Sequence, residues 1–505
     1  MNRRRSGIRL WLLAFVGFWL LHAAWSFATP LNGPPDELQH VIRAAGVGRG
    51  EIIAPAEGIH GYQNVPKTLN RGWCFPTKVE VAASCEPEPV GDETAMMVNT
   101  TAARYNPVYY LVSAWPVAVW PNWTGIMLSR LINGALMAAL LACAVVAAAR
   151  WFGHKGIVAG VAVALTPMIA HLGGAINPAG IEIAAGVALF AALIPLLHEK
   201  TGEVNRAQVA LAAVSAGVLV TPRFTGLMWL LIILGVLLVP ASRARLRELA
   251  RSPAVWLASG FVVLCVAASL AWTLVARTAE PAGWEHGLSV TTILRFAVFE
   301  MWPNVANQMI GVMGWAETLM PRLVYVVWFM AAGLVLLGGL IMGSRVDRWR
   351  LIALFVGTFA PLLALEILSA NQIGFFNQGR YFLPGAVGLP MLAAWIMARR
   401  GLPAEQQRSI TRLVLVLLLP VQLICLPYTM ARWNSGLVSL NPYNGSWEPP
   451  YGNTLPLVLV TVAVGVLFVT FWRAAGAPEP VPPAEPEHED ASDVTVDEPV
   501  KAGHA

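Results

Sequence analysis

Charged side chains are scarce in this sequence. Asp, Glu, Lys and Arg make up only 12 % of its 505 residues, whereas hydrophobic types make up 56 %. Soluble globular proteins carry about 25 % charged residues, so this composition excludes a soluble multidomain protein. With a mean hydropathy of +0.60, the chain is predicted to be an integral membrane protein.

The short motifs of nucleotide-using and hydrolytic enzymes are also missing. The sequence contains no P-loop, no Rossmann glycine pattern, no nucleophile elbow and no zinc signature. A cytoplasmic nucleotide-sugar site is therefore unsupported. The net charge of +5 comes without a basic stripe that has interleaved aromatic residues, so nucleic acid is not an expected partner.

What the sequence has instead is a series of apolar runs of about 16 to 23 residues, the length that a helix needs to cross a bilayer. Hydropathy predicts an all-α polytopic membrane protein with about twelve transmembrane helices. They lie roughly at 8–29, 125–150, 156–174, 178–198, 207–222, 224–240, 254–276, 322–343, 350–369, 380–399, 411–430 and 454–473.

The arginines set the orientation of these helices. They cluster in alternate connections, as in 241–251 and 344–350, and the positive-inside rule places those connections and the N-terminus in the cytoplasm. The predicted organisation is a first transmembrane helix (1–29), an extracytoplasmic loop (30–123), transmembrane helices (124–276), a second such loop (277–321), further transmembrane helices (322–430), a third loop (431–453), a last transmembrane helix (454–473) and a disordered, acidic, Pro-rich cytoplasmic tail (474–505).

One segment of the first loop complicates this count. Residues 106–121 are apolar, but the segment is short and Pro116 interrupts it. Counting it as a span would move every arginine-rich connection to the outside. We therefore expect an interfacial or re-entrant helix whose tyrosines and tryptophans suit the aromatic belt.

Cysteine is rare, with five residues in the chain. Cys143, Cys265 and Cys425 lie within apolar runs, where cysteine usually packs as a small side chain. Cys74 and Cys85 share the first extracytoplasmic loop, an oxidising location, which predicts a disulfide between them. Two unpaired thiols remain the alternative. A metal pair is less favoured because no second Cys or His doublet accompanies them.

The most distinctive motif, an acidic pair and a histidine, follows the first apolar run. If Asp36 opens a helix, then Asp36, His40 and Arg43 share one helical face. Asp36 is then either a helix cap with Glu37 as a first-turn acid, or a general base at the membrane surface. A cap can also serve as a base, so both interpretations stay open.

Asp36 and His40 have the i, i+4 spacing of two metal ligands. A divalent cation such as Mg or Mn is a possible cofactor on this basis, although two ligands alone do not make a site.

Two arginines are placed where an anionic head group would lie. Arg380 and Tyr381 stand at a membrane boundary, either as a snorkelling arginine with a belt tyrosine or as a phosphate clamp. Arg223 lies in a tight connection between two short apolar runs. It is expected either to bind an anion or to form an internal ion pair.

These motifs resemble a known group. An acidic pair after the first span, an Asn-Pro-x-Tyr-Tyr helix and a Thr-Pro-Arg hairpin are similar to GT-C-type membrane glycosyltransferases. More closely, the chain resembles the bacterial domain-of-unknown-function family 2142, which is itself regarded as GT-C-like, over roughly residues 8 to 440. The motifs that carry this resemblance are Pro35-Asp36-Glu37-x-x-His40, Asn177-Pro178, Gly314-Trp315, Gly379-Arg380-Tyr381 and Arg432-Trp433-Asn434-Ser435-Gly436.

The resemblance implies a transferase that moves a sugar, with inversion, from a polyprenyl-phosphate donor to a cell-envelope glycan, lipid or protein acceptor. Its active site would lie on the extracytoplasmic side of a bacterial plasma membrane. In such enzymes the acidic pair supplies the base or a metal ligand, which maps to Asp36 and Glu37. The candidate residues for the donor phosphate and lipid are Arg223, Arg380, Tyr381, His40, Arg104 and Tyr105.

Two other function classes remain open at this stage. A lipid-linked polysaccharide polymerase or ligase would share the same outer-face site. A flippase or transporter predicts ionisable residues at the bilayer midplane and two related halves. The sequence shows neither feature clearly.

Overall fold

Long apolar helices dominate the structure. The structure is a computed structural model that describes residues 2–57, 60–86, 88–199, 204–278 and 286–476. Within these ranges nine helices are long and apolar enough to cross a membrane, which confirms an all-α polytopic membrane protein. They are Ser6–Ala28 (part of helix Asn2–Ala28), Trp123–Arg150, Pro178–His198, Pro253–Val275, Arg322–Met342, Arg345–Ile373, Gly379–Arg399 (Gly379–Ala386 and Gly388–Arg399), Ala404–Ser435 (Ala404–Leu418, the 3-10 turn Leu419–Val421 and Gln422–Ser435) and Thr454–Ala475.

The predicted count of twelve spans is not confirmed. Helices Arg206–Val220 and Thr225–Leu238 are apolar but shorter than the nine. The expected span at 156–174 is not one continuous helix, because it forms two helices, Ile157–Ala164 and Pro167–Gly173, of 8 and 7 residues. Pro167 begins the second helix, and a proline holds the residue before it in an extended conformation, which ends the first helix.

Helix Pro178–His198 is the centre of the bundle. Every residue from Pro178 to Leu197 is buried, between Trp123–Arg150, Arg206–Val220 and Gly379–Ala386. Its start is encoded locally, since the Asn177 side chain accepts the backbone N–H of Ala179 and Pro178 occupies the first helical position. By contrast, Pro253–Val275 has no buried residue and packs at the edge, on Arg206–Val220.

The first loop is a folded unit of helix and sheet. Helix Glu37–Gly48 is followed by a three-stranded antiparallel sheet in chain order, and Cys74 and Cys85 form a disulfide between its second and third strands. The segment at 106–121 forms two helices of 7 and 4 residues, too short to span a bilayer. The strands are Ala56–Glu57, His60–Pro66 and Ala95–Thr100, the 3-10 turns Lys67–Leu69 and Ala83–Cys85, and the two short helices Pro107–Ser113 and Pro116–Val119.

The remaining connections also contain secondary structure. Residues 286–321 include a β-hairpin, Val312–Met313 paired with Thr318–Leu319, and the described part of 431–453 consists of the end of helix Gln422–Ser435 followed by turns. The predicted tail at 474–505 lies outside the described residues from 477 onward. The other helices of these connections are Arg243–Ala250, Val290–Arg295, the π-helix Phe296–Met301 and Trp302–Gly311.

A buried ion pair fixes the first loop to the bundle. Arg130 and Glu37 are both fully buried and bind each other through two contacts, of which Nε to Oε1 measures 2.7 Å. The remaining Arg130 N–H groups donate to three backbone carbonyls between residues 26 and 30. Glu37 Oε1 also accepts the backbone N–H of Ile176 at 3.0 Å. The start of helix Glu37–Gly48 is thereby held against three segments of the bundle.

Removing one partner of this pair is expected to destabilise the protein strongly. Arg130→Met leaves the Glu37 carboxylate buried without its counter-charge, a change that costs about 3–5 kcal/mol. The double variant Glu37→Gln/Arg130→Met removes both charges and should recover part of the loss. Thermal unfolding in detergent measures this, and a double variant less stable than Arg130→Met would contradict the pairing argument.

A second buried acid lies beside the disulfide. The Glu86 side chain is only 7 % exposed, with Arg71 Nε at 3.8 Å. Burial raises the pKa of Glu86 to about 7, although the Arg71 guanidinium acts in the opposite direction. The folded state therefore favours the protonated carboxyl more than the unfolded chain does.

The melting temperature should consequently fall as pH rises. The stabilising contribution of Glu86 is present below its ordinary pKa of 4.5 and is lost as pH rises through about 7. Glu86→Gln removes this titration, so its melting temperature should decline less between these pH values. Glu88→Gln, at an exposed neighbouring carboxyl, is the matched control. Parallel curves for wild type and Glu86→Gln would show that Glu86 does not titrate in this way.

Candidate active site

Asp36 lies directly before helix Glu37–Gly48 and does not act as a side-chain cap. Its backbone has a left-handed φ of 61°, and its carboxylate makes no capping hydrogen bond. Instead it forms an ion pair with Arg380, which also donates to Tyr381 Oη at 3.0 Å. The Asp36 side chain is 30 % exposed and that of Arg380 only 3 %. Asp36 therefore occupies the cap position without capping through its side chain, Glu37 is the first-turn acid as expected, and the Asp36 carboxylate remains accessible.

The helix that follows Asp36 is buried on nearly all sides. His40 Nδ1 lies 2.8 Å from Tyr110 Oη. Arg43 donates to the Gln63 side chain and to the backbone carbonyls of residues 51, 52 and 105. Both terminal guanidinium nitrogens of Arg43 are therefore used in structural contacts, and one of them fixes the backbone at Tyr105.

Arg223 forms the internal ion pair that was one of its two expected roles. It lies between helices Arg206–Val220 and Thr225–Leu238 and forms an internal ion pair with Glu182, with Nε 2.9 Å from Oε2. Its guanidinium also lies 5.2 Å from the centre of the Tyr381 ring. Glu182 is fully buried, whereas 12 % of the Arg223 side chain is exposed. The exposed part belongs to the wall of a cavity.

This cavity has a volume of about 570 Å³. It brings together residues that are far apart in the sequence, and its wall combines arginine and tyrosine side chains with apolar surface. Four of the residues predicted to bind a donor line it. The walls are formed by Thr101, Arg104, Tyr105, Asn106, Thr221, Pro222, Arg223, Phe224, Thr225, Trp229, Ser269, Trp272, Thr273, Thr278, Leu362, Leu365, Ser369, Gln372, Ile373, Phe376 and Tyr381.

The charged groups beside the cavity include two ion pairs, Arg223 with Glu182 and Arg380 with Asp36. Burial, reinforced by the charges of Arg223 and Arg380, holds the pKa of His40 well below its ordinary value. Burial also raises the pKa of Tyr105 to about 12. At neutral pH the histidine and the tyrosine are thus uncharged, and the charges next to them belong to the two arginine–carboxylate pairs.

The charges around Asp36 and His40 do not fit the divalent cation that the sequence predicted there. The Asp36 carboxylate is already paired with Arg380, and both neighbouring arginines disfavour positive charge at His40. Among the described residues no three His, Cys, Asp or Glu side chains lie close enough to hold a metal ion. No chemistry is therefore assigned to a metal here.

Glu37 is adjacent to Asp36 in sequence but not equivalent to it in space. Its side chain is fully buried against Arg130 and is not part of the cavity wall. In this arrangement Glu37 orients the segment that carries Asp36 and does not itself reach the cavity.

The family-like motifs meet around the segment that ends at Asp36. Asn177 Nδ2 donates to the Pro35 carbonyl at 2.8 Å, and Trp315 Nε1 donates to the Asn32 carbonyl at 2.9 Å. Arg380 pairs with Asp36 itself. Motifs that are scattered through the sequence therefore converge on one short stretch of backbone.

Sequence reasoning missed one wall of the cavity. Ser269, Trp272 and Thr273 line it from helix Pro253–Val275. Their i, i+3, i+4 spacing puts them on one face of an otherwise apolar helix. Such a polar patch within a span is a signal for a lined cavity, and it was available in the sequence.

The chain shows one family match. The family model described as "Predicted membrane protein (DUF2142)" matches residues 18–389, which confirms the resemblance seen in the motifs. The match includes Asp36, Arg223 and Arg380, and ends before Arg432. None of the curated proteins matches the chain significantly.

Two solved structures are similar to the chain. They are ArnT from Cupriavidus metallidurans bound to undecaprenyl phosphate and the same protein in the apo state. The identities are 12 % and 14 %, and the TM-scores are 0.41 and 0.39. Each alignment covers 92 % of this chain and 76 % of ArnT. At TM-scores below 0.5 neither similarity bears on the activity of this chain.

Divalent cations are expected to have no effect that depends on Asp36. A ligand that binds the folded state raises the melting temperature, so excess Mn²⁺ should not stabilise the wild type more than Asp36→Asn. EDTA should likewise leave the melting temperature unchanged. A Mn²⁺-dependent rise in the wild type that is absent from Asp36→Asn would reinstate a metal at this position.

Proposed function

The chain belongs to the DUF2142 family of membrane proteins, and we propose that it is an integral membrane glycosyltransferase of the GT-C type. It transfers a sugar from a polyprenyl-phosphate donor to an acceptor in the cell envelope. The observation that carries this proposal is the cavity of about 570 Å³, whose wall joins apolar surface to arginines beside the Asp36–Arg380 pair.

The wall of the cavity suits the two halves of such a donor. Apolar side chains such as Trp229, Leu362 and Phe376 provide the greasy surface that an isoprenoid chain needs. Arg223 provides a planar, permanently charged group for the phosphate. A donor without a lipid chain would leave the apolar part of the cavity without a ligand.

The reaction assigned to this site is a single displacement with inversion. The acceptor oxygen attacks the anomeric carbon of the sugar, and the bond from that carbon to the phosphate oxygen breaks. Asp36 receives the acceptor proton, and the electron pair of the broken bond leaves with the phosphate. Arg223 and Arg380 stabilise the charge that develops on the leaving phosphate.

The ion pair of Asp36 with Arg380 gives this mechanism a specific order. Without donor, the Arg380 guanidinium is shared between Asp36 and Tyr381. When the donor phosphate binds, Arg380 donates hydrogen bonds to the phosphate in place of Asp36. Asp36 is then free to accept a proton. The base is then available only when a donor is present, which limits unproductive chemistry with water.

The proposed side of the membrane is the extracytoplasmic one, in a bacterial plasma membrane. Arginine-rich connections such as 241–251 lie on the face that the positive-inside rule assigns to the cytoplasm. The Cys74–Cys85 disulfide belongs to the loop that also carries Asp36, and disulfides persist in oxidising compartments. Both observations support the same orientation. The acceptor is then a glycan, lipid or protein of the cell envelope.

Mass spectrometry of lipid that copurifies with gently extracted protein tests this proposal. Wild type should carry a polyprenyl phosphate and its glycosylated form. Asp36→Asn should retain the glycosylated form and contain less free carrier, because loss of a general base slows transfer by about 10²- to 10⁴-fold. Bulk phospholipid alone in the wild type would overturn the assignment of a carrier-lipid site.

The proposed contact between Arg223 and the donor phosphate is tested with a variant that leaves no buried charge unpaired. Glu182→Gln/Arg223→Gln removes both members of the buried pair, whereas replacing Arg223 alone would leave Glu182 unpaired. The double variant should lose the carrier lipid. Arg247→Gln, in helix Arg243–Ala250, is the control and should retain it. Retention of the carrier in the double variant would show that Arg223 does not bind the phosphate.

A further inference from the structure

The β-hairpin at 312–319 presents Trp315 on a strained turn. Gly314 and Ala316, on either side of Trp315, both have left-handed φ values, of 65° and 66°. A Cβ at residue 314 would displace the Glu317 carboxylate and would hold an L side chain in a conformation that glycine adopts more readily. For Ala316 the conformation is unfavourable, and such strain tends to persist at functional positions, where surrounding contacts hold it.

Trp315 forms a pair with a second tryptophan from the first loop. The ring of Trp73 lies 4.4 Å from that of Trp315, centre to centre, at an angle of 57°. Trp73 is 50 % exposed and directly precedes the disulfide-bonded Cys74. Trp315 is held by its indole N–H, which donates to the carbonyl of Asn32, four residues before Asp36. We refer to Trp73 and Trp315 as the tryptophan pair.

One arginine ties together the two loops that carry the tryptophan pair. Arg432 is fully buried, and its Nε donates to Glu317 of the hairpin turn at 3.1 Å. Its other N–H groups donate to backbone carbonyls at 75, 78 and 81, within the loop that the disulfide closes. The tryptophan pair is therefore fixed in position. Because it is already ordered, a ligand that binds it causes little further loss of conformational entropy.

Exposed polar residues lie near Trp73 in the chain, whereas the hairpin that carries Trp315 exposes one apolar side chain, Leu319. Gly72, Thr77 and Lys78 near Trp73 are exposed, and none of them is apolar in character. Placing these groups in hydrocarbon would require desolvating an ammonium and a hydroxyl. A membrane anchor is therefore disfavoured, and the exposed indole surface suits a water-soluble ligand with an apolar face.

The tryptophan pair also lies close to the proposed base. Gly314 and Ala316 line a small pocket together with Pro35, Gln378 and Arg380. This pocket is separate from the donor cavity, whose wall contains Tyr381 but not these residues. Arg380 connects the two, because it lines the small pocket, pairs with Asp36 and donates to Tyr381 of the donor cavity. An acceptor that reaches Asp36 from the side opposite the donor would pass the tryptophan pair.

We propose that Trp73 and Trp315 form a carbohydrate-binding platform, and that the acceptor is accordingly a glycan chain. This inference rests on the proposed transferase function. The C–H faces of sugar rings pack on exposed indole rings, and nearby amides such as Gln378 provide hydrogen-bonding partners for hydroxyl groups. The growing end of the glycan then lies at Asp36, with earlier sugars on the tryptophan pair.

Binding of full-length protein in detergent to an array of bacterial envelope oligosaccharides tests this proposal. The array includes sugar-free phospholipid vesicles as a second class of ligand. Wild type should bind oligosaccharides. Trp73→Ala should weaken that binding by about tenfold or more, as expected for a central aromatic contact. Trp73→Phe, which keeps an aromatic face, should remain within about threefold of wild type.

A matched control separates this effect from a general loss of exposed aromatic surface. Trp120→Ala, at another exposed tryptophan of the first loop (42 % exposed), should bind as wild type does. Equal binding by Trp73→Ala and wild type overturns the proposal, as does binding to vesicles but not to oligosaccharides. Wild-type protein that retains a polyprenyl carrier but binds no oligosaccharide overturns the platform and leaves the transferase function standing.

Discussion

The buried ion pair between Glu37 and Arg130 is the contact on which the candidate active site depends. Both side chains are fully buried, and a pair of buried charges is tolerated only when each is also hydrogen-bonded. Here Arg130 is saturated by carbonyls between residues 26 and 30, and Glu37 receives the N–H of Ile176. The turn that leads from the first helix to Asp36 has therefore one favourable position relative to the bundle.

The arginines at this end of the molecule divide into two kinds. Arg43, Arg130 and Arg432 are fully buried and donate mainly to backbone carbonyls, so their contacts are structural. Arg223 and Arg380 also pair with carboxylates, but they lie against the ring of Tyr381, beside the cavity. Arg380 has a partly exposed partner, Asp36, which it can exchange for a phosphate, and Arg223 keeps 12 % of its side chain exposed beside its buried partner Glu182. An arginine held by main-chain carbonyls cannot do so without unfolding the loop.

The helical architecture could be predicted from the sequence, whereas the contacts between distant residues could not. Apolar runs predicted the polytopic helical protein, and Pro167 contained the information that splits the expected span at 156–174. The ion pair of Asp36 with Arg380 joins residues 344 positions apart, and no local pattern determines such a partner. The sheet of the first loop was missed for a related reason, since its strands are short and their pairing spans the disulfide loop.

The backbone at Asp36 adds a constraint that its chemistry alone does not require. Its φ of 61° lies in the left-handed region, which asparagine and aspartate tolerate better than glutamate or other long side chains. The short side chain also sets the reach of the carboxylate between the donor cavity and the pocket beside the tryptophan pair. A glutamate would keep the charge but change both the backbone preference and the distance to Arg380. The position thus selects aspartate by geometry as well as by acidity, which suits the role of base proposed for it.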